Sequence, residues 1–493
     1  MTAQGASQVT VRDRLSVDVS GLAGGGGELT WGQRFVWDIL ESLPPGTHYL
    51  NIRFRVHLPR YATRERVLSA LATLLRRHEA LRTRFLTGGD GEPRQQCDPA
   101  GQLPVEYCHT APGHVRRLAE HEEERLWRLP FQNDRDWPMR VSVIAADGRP
   151  RQIVFVFSHL AVDAWACAVL RQEFLDLLRR DDALPAVTGW QPRERAAFEC
   201  SPAGRKVNDR SLVYWRRTLE TFPQTAFPIP PAAAETPRFP GVGLHSVALA
   251  GAVQAVAARH RVGPAAVLLG VLSTIIGIRT GTELVPLMLA TGNRFTPEDN
   301  ASVGTFYHVA PALVPLHTSL AGTIRSASQA SIVAYRRGQC DPRGVAQLLE
   351  AVQAERGVEI ELSTTMNVVP EPGSRGTLPV IHDAAALREL TAATRVWDLD
   401  GRDTEQLKLY AHVKSLRSRA VLELFCDSCY LSAADARKLL AGLELVLIEL
   451  LEVGDLHRDR VADLVEITPS AGLPSLARTA PDAAPSADAH LED

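Results

Sequence analysis

The residues best suited to chemistry lie in SHLAVDAW, residues 158–165. His159 leaves an apolar run there, and Asp163 follows four residues on. A neutral imidazole with an ordinary pKa of about 6.5 can take a proton from an amine or an alcohol. A carboxylate beside it can orient the ring or fix the turn. The same spacing suits a buried polar pair that does no chemistry, since H-x-x-x-D is short and the chain has 15 histidines. Ser158 adjoins His159, but neighbours on a strand face opposite ways, which makes it a poor nucleophile. No Ser or Cys nucleophile with its base stands out elsewhere. Cys426 and Cys429 form a CxxC in VLELFCDSCYL, yet no second CxxC or histidine pair completes a zinc site. Both read as core thiols. No P-loop, and no GxGxxG after a strand, suggests a nucleotide. Neither a metal nor a bound cofactor is expected.

What would position His159? QIVFVFSHL (152–160) is a short apolar run ending in polar residues, the pattern of a buried strand. Strand ends in α/β proteins are where ligands bind. Beyond Asp163, Leu170, Phe174, Leu177 and Leu178 keep helical spacing. YLNIRFRVHL (49–58) alternates as a strand. Thr63 can cap a helix with apolar positions at Val67, Leu68, Leu71, Leu74 and Leu75. In the second half, PAAVLLGVLSTIIGI (264–278) reads as a buried helix and ELVPLMLA (283–290) as the strand after it. Ser432 and Asp435 match a capping box ahead of a leucine-rich helical stripe beginning at Leu439. Each half mixes helices and strands, so the fold class is α/β.

At roughly 100–200 residues per domain, 493 residues make two to four domains or two large lobes. The run FPQTAFPIPPAAAETPRFPG (222–241) carries six prolines and predicts a linker. It separates an N-terminal lobe, 28–221, from a C-terminal lobe, 242–468. Residues 1–27 end in GGGG and predict a flexible segment, and 469–493 predict a disordered Pro/Ala/Ser/Asp-rich tail. The net charge is −3, and only four of the 54 basic residues are lysines, so no nucleic-acid footprint is visible. Seven cysteines, an odd number in a large chain, favour a reducing compartment over a disulfide scaffold. The N-terminus has no signal pattern. The most apolar stretch, 264–278, falls short of the roughly 20 residues that span a bilayer. A cytoplasmic protein without a membrane span is expected.

Several motifs carry a family resemblance. RHEALRTRF (77–85) resembles the RHExLRTxF motif of condensation domains from non-ribosomal peptide synthetases. SHLAVDA (158–164) stands where those domains carry HHxxxDG. LTWGQRFVW (29–37) resembles their opening motif, with Gln33 and Trp37 in place, and YWRRTL (214–219) the segment closing their first lobe. TGNRF (291–295) and SVGTFYHVAPALVPL (302–316) resemble their second-lobe loop and (I/V)GxFVNTxPxR segment, and FCDSCYL (425–431) echoes their YDxxL-like end. The likeness runs from about residue 28 to 455.

The resemblance implies two lobes similar to chloramphenicol acetyltransferase, set as a V-shaped pseudodimer with a tunnel between them. Carrier proteins would bring substrates into it on phosphopantetheine arms. His159 would be the general base, or would position the acceptor. Asp163 would support the site by pairing with Arg294 of TGNRF, and Arg77 and Arg82 would pack inside the first lobe. Ser158, Ala164, Trp165 and His308 become tunnel or substrate-proximal candidates. Ser158 replaces the first histidine of the motif, Ala164 its glycine, and His308 the asparagine of FVNT. GQCDPRGV (338–345) stands where HQDxPF is expected. These departures point to an atypical substrate or reduced activity.

No carrier attachment motif, adenylation signature or EGHGRE-like epimerisation motif is present, and no DxxxxD replaces the histidine motif. The implied protein is a free-standing condensation enzyme. It would move an acyl or aminoacyl group from a peptidyl or acyl carrier protein, met in trans, to a small-molecule or carrier-bound amine or alcohol. Two rivals stay open. One is a single-histidine O-acyltransferase of lipid or polyketide type. The other is an inactive condensation-like module that recruits partner enzymes.

Overall fold

A computed structural model of the protein describes residues 11–180, 184–369, 383–403 and 405–470. The apolar run before His159 forms the strand Arg149–Phe157, buried continuously from Gln152 to its end. It belongs to a five-stranded mixed sheet in the order Val11–Val19, Gly101–His109, Met139–Ala146, Arg149–Phe157, Ile52–His57. Both faces of that strand are covered, which is why it reads as unbroken apolar residues. The helices Arg64–Arg77 and Ala164–Arg180 cover one face, with Leu71, Leu75, Phe174 and Leu178 against Phe155 and Phe157. The helix Val115–Trp127 covers the other, with Leu118 and Leu126 against Val154 and Val156. Thr63 caps Arg64–Arg77 as its spacing predicts, accepting from the Arg66 amide.

A second sheet of seven strands runs His308–Pro315, Leu284–Thr291, Thr364–Val368, Leu409–Leu416, Ala420–Cys426, Phe239–Ser246, Arg395–Arg402. The helices Val247–His260, Pro264–Thr280, Leu320–Arg336 and Ala433–Val453 pack on one of its faces in a separate core. Pro264 opens Pro264–Thr280, and Gly281 closes it at φ 69°, a left-handed value glycine adopts freely. Two sheets with two cores make the α/β, two-lobed architecture. Among the described residues no single helix is long and apolar enough to cross a membrane.

The structure corrects the sequence at three borders. Residues 11–27, expected to be flexible, form the edge strand Val11–Val19 and most of the strand Gly25–Glu28. Gly25–Glu28 pairs with Pro93–Cys97 in a small third sheet completed by Thr83–Thr87. Gly24 serves close approach: a Cβ there would stand 2.9 Å from the Cys97 carbonyl oxygen. The helix Pro202–Thr221, assigned to the first lobe by position, packs against the second. Its Trp215 and Leu219 join Met288, Cys340 and Val352 in one cluster, and the Tyr214 hydroxyl donates to the Pro311 carbonyl at 2.6 Å.

The proline-rich run 222–241 is not a loose tether either. Ala226, Phe227 and Ile229 are buried in the second core, and the strand Phe239–Ser246 has begun by its end. Pro240 is tolerated there because the pairing with Arg395–Arg402 is irregular between Leu399 and Arg402. At the other terminus the Ser470 amide donates to the Arg279 carbonyl at 3.1 Å, while 471–493 of the expected tail lie outside the described residues. Cys426 ends a strand, Cys429 lies in the turn beyond it, and both are free thiols.

Candidate active site

A tight turn follows Phe157. The Ser158 amide donates to the Pro138 carbonyl at 3.1 Å, and the Ser158 carbonyl accepts from the amides of Ala161 and Val162. The turn folds the Val162 carbonyl back onto the His159 ring, 3.0 Å from Nδ1. A carbonyl can only accept, so Nδ1 carries the proton and Nε2 keeps its lone pair. Thr305, from the second lobe, completes the clamp: its hydroxyl donates to the His159 carbonyl at 2.8 Å and lies 3.2 Å from Nδ1. His159 is half-buried. Burial lowers its pKa below 6.5, outweighing the opposite pull of Asp163. The neutral ring is therefore the resting state at neutral pH, and its Nε2 is a base.

Asp163 is spent on structure. Arg294 Nη2 lies 2.9 Å from each of its carboxylate oxygens, with the two side chains 3% and 7% exposed respectively. Oδ1 also accepts from the Ala166 amide at 2.8 Å, which caps the helix Ala164–Arg180, and Oδ2 accepts from the Phe306 amide at 3.0 Å. With both oxygens doubly occupied, the carboxylate has no free lone pair for a substrate proton. Arg294 in turn donates to the carbonyls of Asp299, Ser302 and Gly304 and lies 4.5 Å over the Phe306 ring. One ion pair thus fixes the turn of the first lobe against the loop 291–307 of the second.

The other sequence candidates are placed as follows. Ser158 is buried with its hydroxyl donating to Asn133 Oδ1 at 3.2 Å, away from any reacting group. Ala164 opens its helix. Trp165 crosses between the lobes, its Nε1 donating to the Asn300 carbonyl at 2.9 Å. His308 is buried and stacks on Phe35 with centroids 4.4 Å apart, its Nδ1 accepting from the Val309 amide. Burial pushes its pKa down to about 4. No hydrogen bond joins His308 to His159 among the described residues.

RHEALRTRF serves the first lobe. Arg77 and His78 both meet Glu173, at 3.1 and 2.7 Å. Burial alone would raise the Glu173 pKa, but the two partners outweigh it and bring it to about 2. Arg82, 2% exposed, donates to the carbonyls of Leu75, Ala23 and Asp98.

Three features escape a reading of spacing. Thr305 is an ordinary residue within SVGTFYHV, and only the fold brings it 146 positions back to His159. Arg195 looks like half of an exposed i,i+4 pair with Glu199, yet it is buried and also donates to Asp299 of the second lobe at 3.0 Å. Gly32, in the helix Trp31–Ser42, presses on the same loop: a Cβ there would lie 2.4 Å from the Thr305 carbonyl oxygen.

Comparison with known proteins bears on the family and the fold. The chain is 27% identical over 311 residues to N-(5-amino-5-carboxypentanoyl)-L-cysteinyl-D-valine synthase of Amycolatopsis lactamdurans, covering 61% of this chain and 8% of the synthase. It is 26% identical over 294 residues to phosphinothricin tripeptide synthetase PhsC of Streptomyces viridochromogenes, covering 56% of this chain and 26% of that protein. The chain thus spans a minor part of these relatives' length. Its fold is similar to that of the first condensation domain of the calcium-dependent antibiotic synthetase, with a TM-score of 0.65 at 16% identity over 88% of this chain and 98% of that one. The condensation-domain profile matches residues 28–357. With two thirds of its length matched, the chain belongs to the condensation-domain family, whose members form peptide or amide bonds by acyl transfer.

Proposed function

We propose that the protein is a free-standing condensation enzyme, moving an acyl or aminoacyl group from a carrier-tethered thioester to an amine or alcohol. The observation that carries this reading is the His159 ring, oriented by the Val162 carbonyl and Thr305 with Nε2 unprotonated at the meeting of the two lobes. Nε2 accepts the proton of the acceptor nitrogen or oxygen as that atom attacks the thioester carbon. The C–S bond then breaks, and the proton passes to the departing pantetheine thiolate. The thioester supplies the activation, so the step consumes no nucleotide. Asp163 and Arg294 hold the lobes in register and move no proton.

In this reading the acyl group arrives on the phosphopantetheine arm of a carrier protein met in trans. The acceptor arrives free or on a second carrier. Seven free thiols suit a reducing compartment, which is where we place the reaction. The test offers a panel of acyl-loaded carrier proteins together with pooled amines and alcohols and reads transfer by intact mass. Amide or ester product from at least one donor is expected, and the acceptor pool that reacts separates amide formation from O-acylation. No transfer from any donor, together with tight binding of a carrier or another enzyme, would replace the reading with recruitment.

A further inference from the structure

Attack on a thioester carbon puts negative charge on the carbonyl oxygen, and a site for this reaction gains most from a fixed donor aimed at that oxygen. Side-chain donors around His159 are nearly all committed. The Ser158 hydroxyl is turned to Asn133, the Thr305 hydroxyl donates to the His159 carbonyl, and Trp165 Nε1 donates to Asn300. Arg294 Nη1 and Nη2 are divided between Asp163 and three carbonyls.

Arg294 Nε is buried without a partner among the described residues, and the Tyr307 hydroxyl is the other uncommitted donor. The Tyr307 ring lies 5.3 Å from the His159 ring at 45° and 5.7 Å from Phe35, so the phenol is a direct neighbour of the base. It is half-buried, yet its hydroxyl takes no hydrogen bond among the described residues. An unpaired hydroxyl that still reaches solvent beside the candidate base is available to a ligand. The backbone that carries it is pinned on the preceding residue, where the Phe306 amide donates to Asp163 and the Phe306 carbonyl accepts from Asn293 Nδ2 at 3.0 Å. Asn293 holds a left-handed φ of 50° and also donates to the Gly338 carbonyl, which anchors it in turn. The phenol is thus presented from a rigid loop, as a preorganised donor requires.

We infer that the Tyr307 hydroxyl donates to the acyl carbonyl oxygen as it becomes an oxyanion, opposite the proton transfer to His159. The bond forms as the acceptor attacks and weakens when the C–S bond breaks and the oxygen regains its double bond. Burial, with Tyr410 close by, holds the Tyr307 pKa well above 10, so the hydroxyl stays protonated and donates throughout. Tyr410 supports the arrangement: its oxygen accepts from Asn367 Nδ2 at 2.9 Å.

This inference rests on the transfer reading above, and its test separates the two. Tyr307→Phe keeps the ring against His159 and removes only the hydroxyl. With any donor the wild type accepts, kcat should fall about 10²-fold or more while KM for the carrier and the pH profile set by His159 stay unchanged. Independently of turnover, two pantetheine thioethers are titrated by calorimetry at pH 8, one ending in a methylphosphonate anion and one in a methyl ketone. The wild type should prefer the phosphonate about tenfold or more, and Tyr307→Phe should lose that preference. A wild type that transfers nothing but shows the Tyr307-dependent preference sinks the transfer reading and leaves the donor standing. Unchanged kcat in Tyr307→Phe, a phosphonate preference that survives it, or no preference in the wild type overturns the donor.

Discussion

Arg294 Nη2 bonds both oxygens of Asp163 at 2.9 Å across the boundary between the lobes, and this contact decides how any Asp163 variant should be read. The carboxylate, four residues on from the base, is a strut. Its loss would be felt at His159 through the turn 158–163, through the loop that carries Thr305 and through the lost pull of its charge on the ring.

Removing one partner of this pair leaves the other charge buried and unpaired, which costs on the order of 3–5 kcal/mol. Asp163→Ala should lower unfolding stability by about that much and abolish activity together. Asp163→Asn, which keeps a carbonyl oxygen for one amide, should lose less of both. Urea unfolding of both variants checks it, and full stability in Asp163→Ala would show that the pair does not hold the lobes.

The reaction should follow the neutral form of His159. Burial places its pKa below 6.5. With an alcohol acceptor, which does not itself ionise in this range, kcat/KM should therefore fall as pH drops through an ionisation under 6.5 and stay flat from there through pH 8. A profile still rising between pH 7 and 8 would contradict a neutral ring at rest.

Gly32 tests the loop from the opposite side. The added methyl in Gly32→Ala meets main chain, not a flexible tip, at 2.4 Å from the Thr305 oxygen. The loop must shift, and with it the second clamp on the His159 ring. The rate should fall about tenfold or more with secondary structure intact by circular dichroism, while wild-type rates would show that Thr305 does not set the ring.

Acid stability should draw on Glu173. Its pKa is about 2 in the folded protein against an ordinary 4.5, so its stabilisation is complete above 4.5 and is lost as pH falls toward 2. Glu423, brought to about 2 against burial by His412 and Lys414, acts in the same window. Glu173→Gln should flatten the pH dependence of unfolding free energy between pH 4.5 and 2, by on the order of 1–3 kcal/mol across the window.

Much of this was legible in the residues. QIVFVFSHL announced a buried strand because helices cover both its faces, and Asp163 lay where a helix cap was needed. The Asp163–Arg294 contact joins TGNRF to SHLAVDA as the family resemblance implied. The borders were less legible. GGGG reads as flexible by composition, but at Gly24 glycine is required because the Cys97 carbonyl passes too close for a side chain. Helix Pro202–Thr221 precedes the proline run in sequence yet packs beyond it, since Trp215 and Leu219 find their apolar surface on the second lobe. At the site, the family resemblance pointed to His308, which is turned into packing with Phe35, and passed over Tyr307 beside it. Contacts between residues far apart in the chain decide such cases, and spacing along the chain does not record them.

The most direct measurement is single-turnover acyl transfer by wild type and His159→Ala, with folding of the variant confirmed by its thermal transition. The rate should fall about 10²-fold or more in His159→Ala, with carrier binding retained. Equal rates in the two proteins would contradict a base at Nε2.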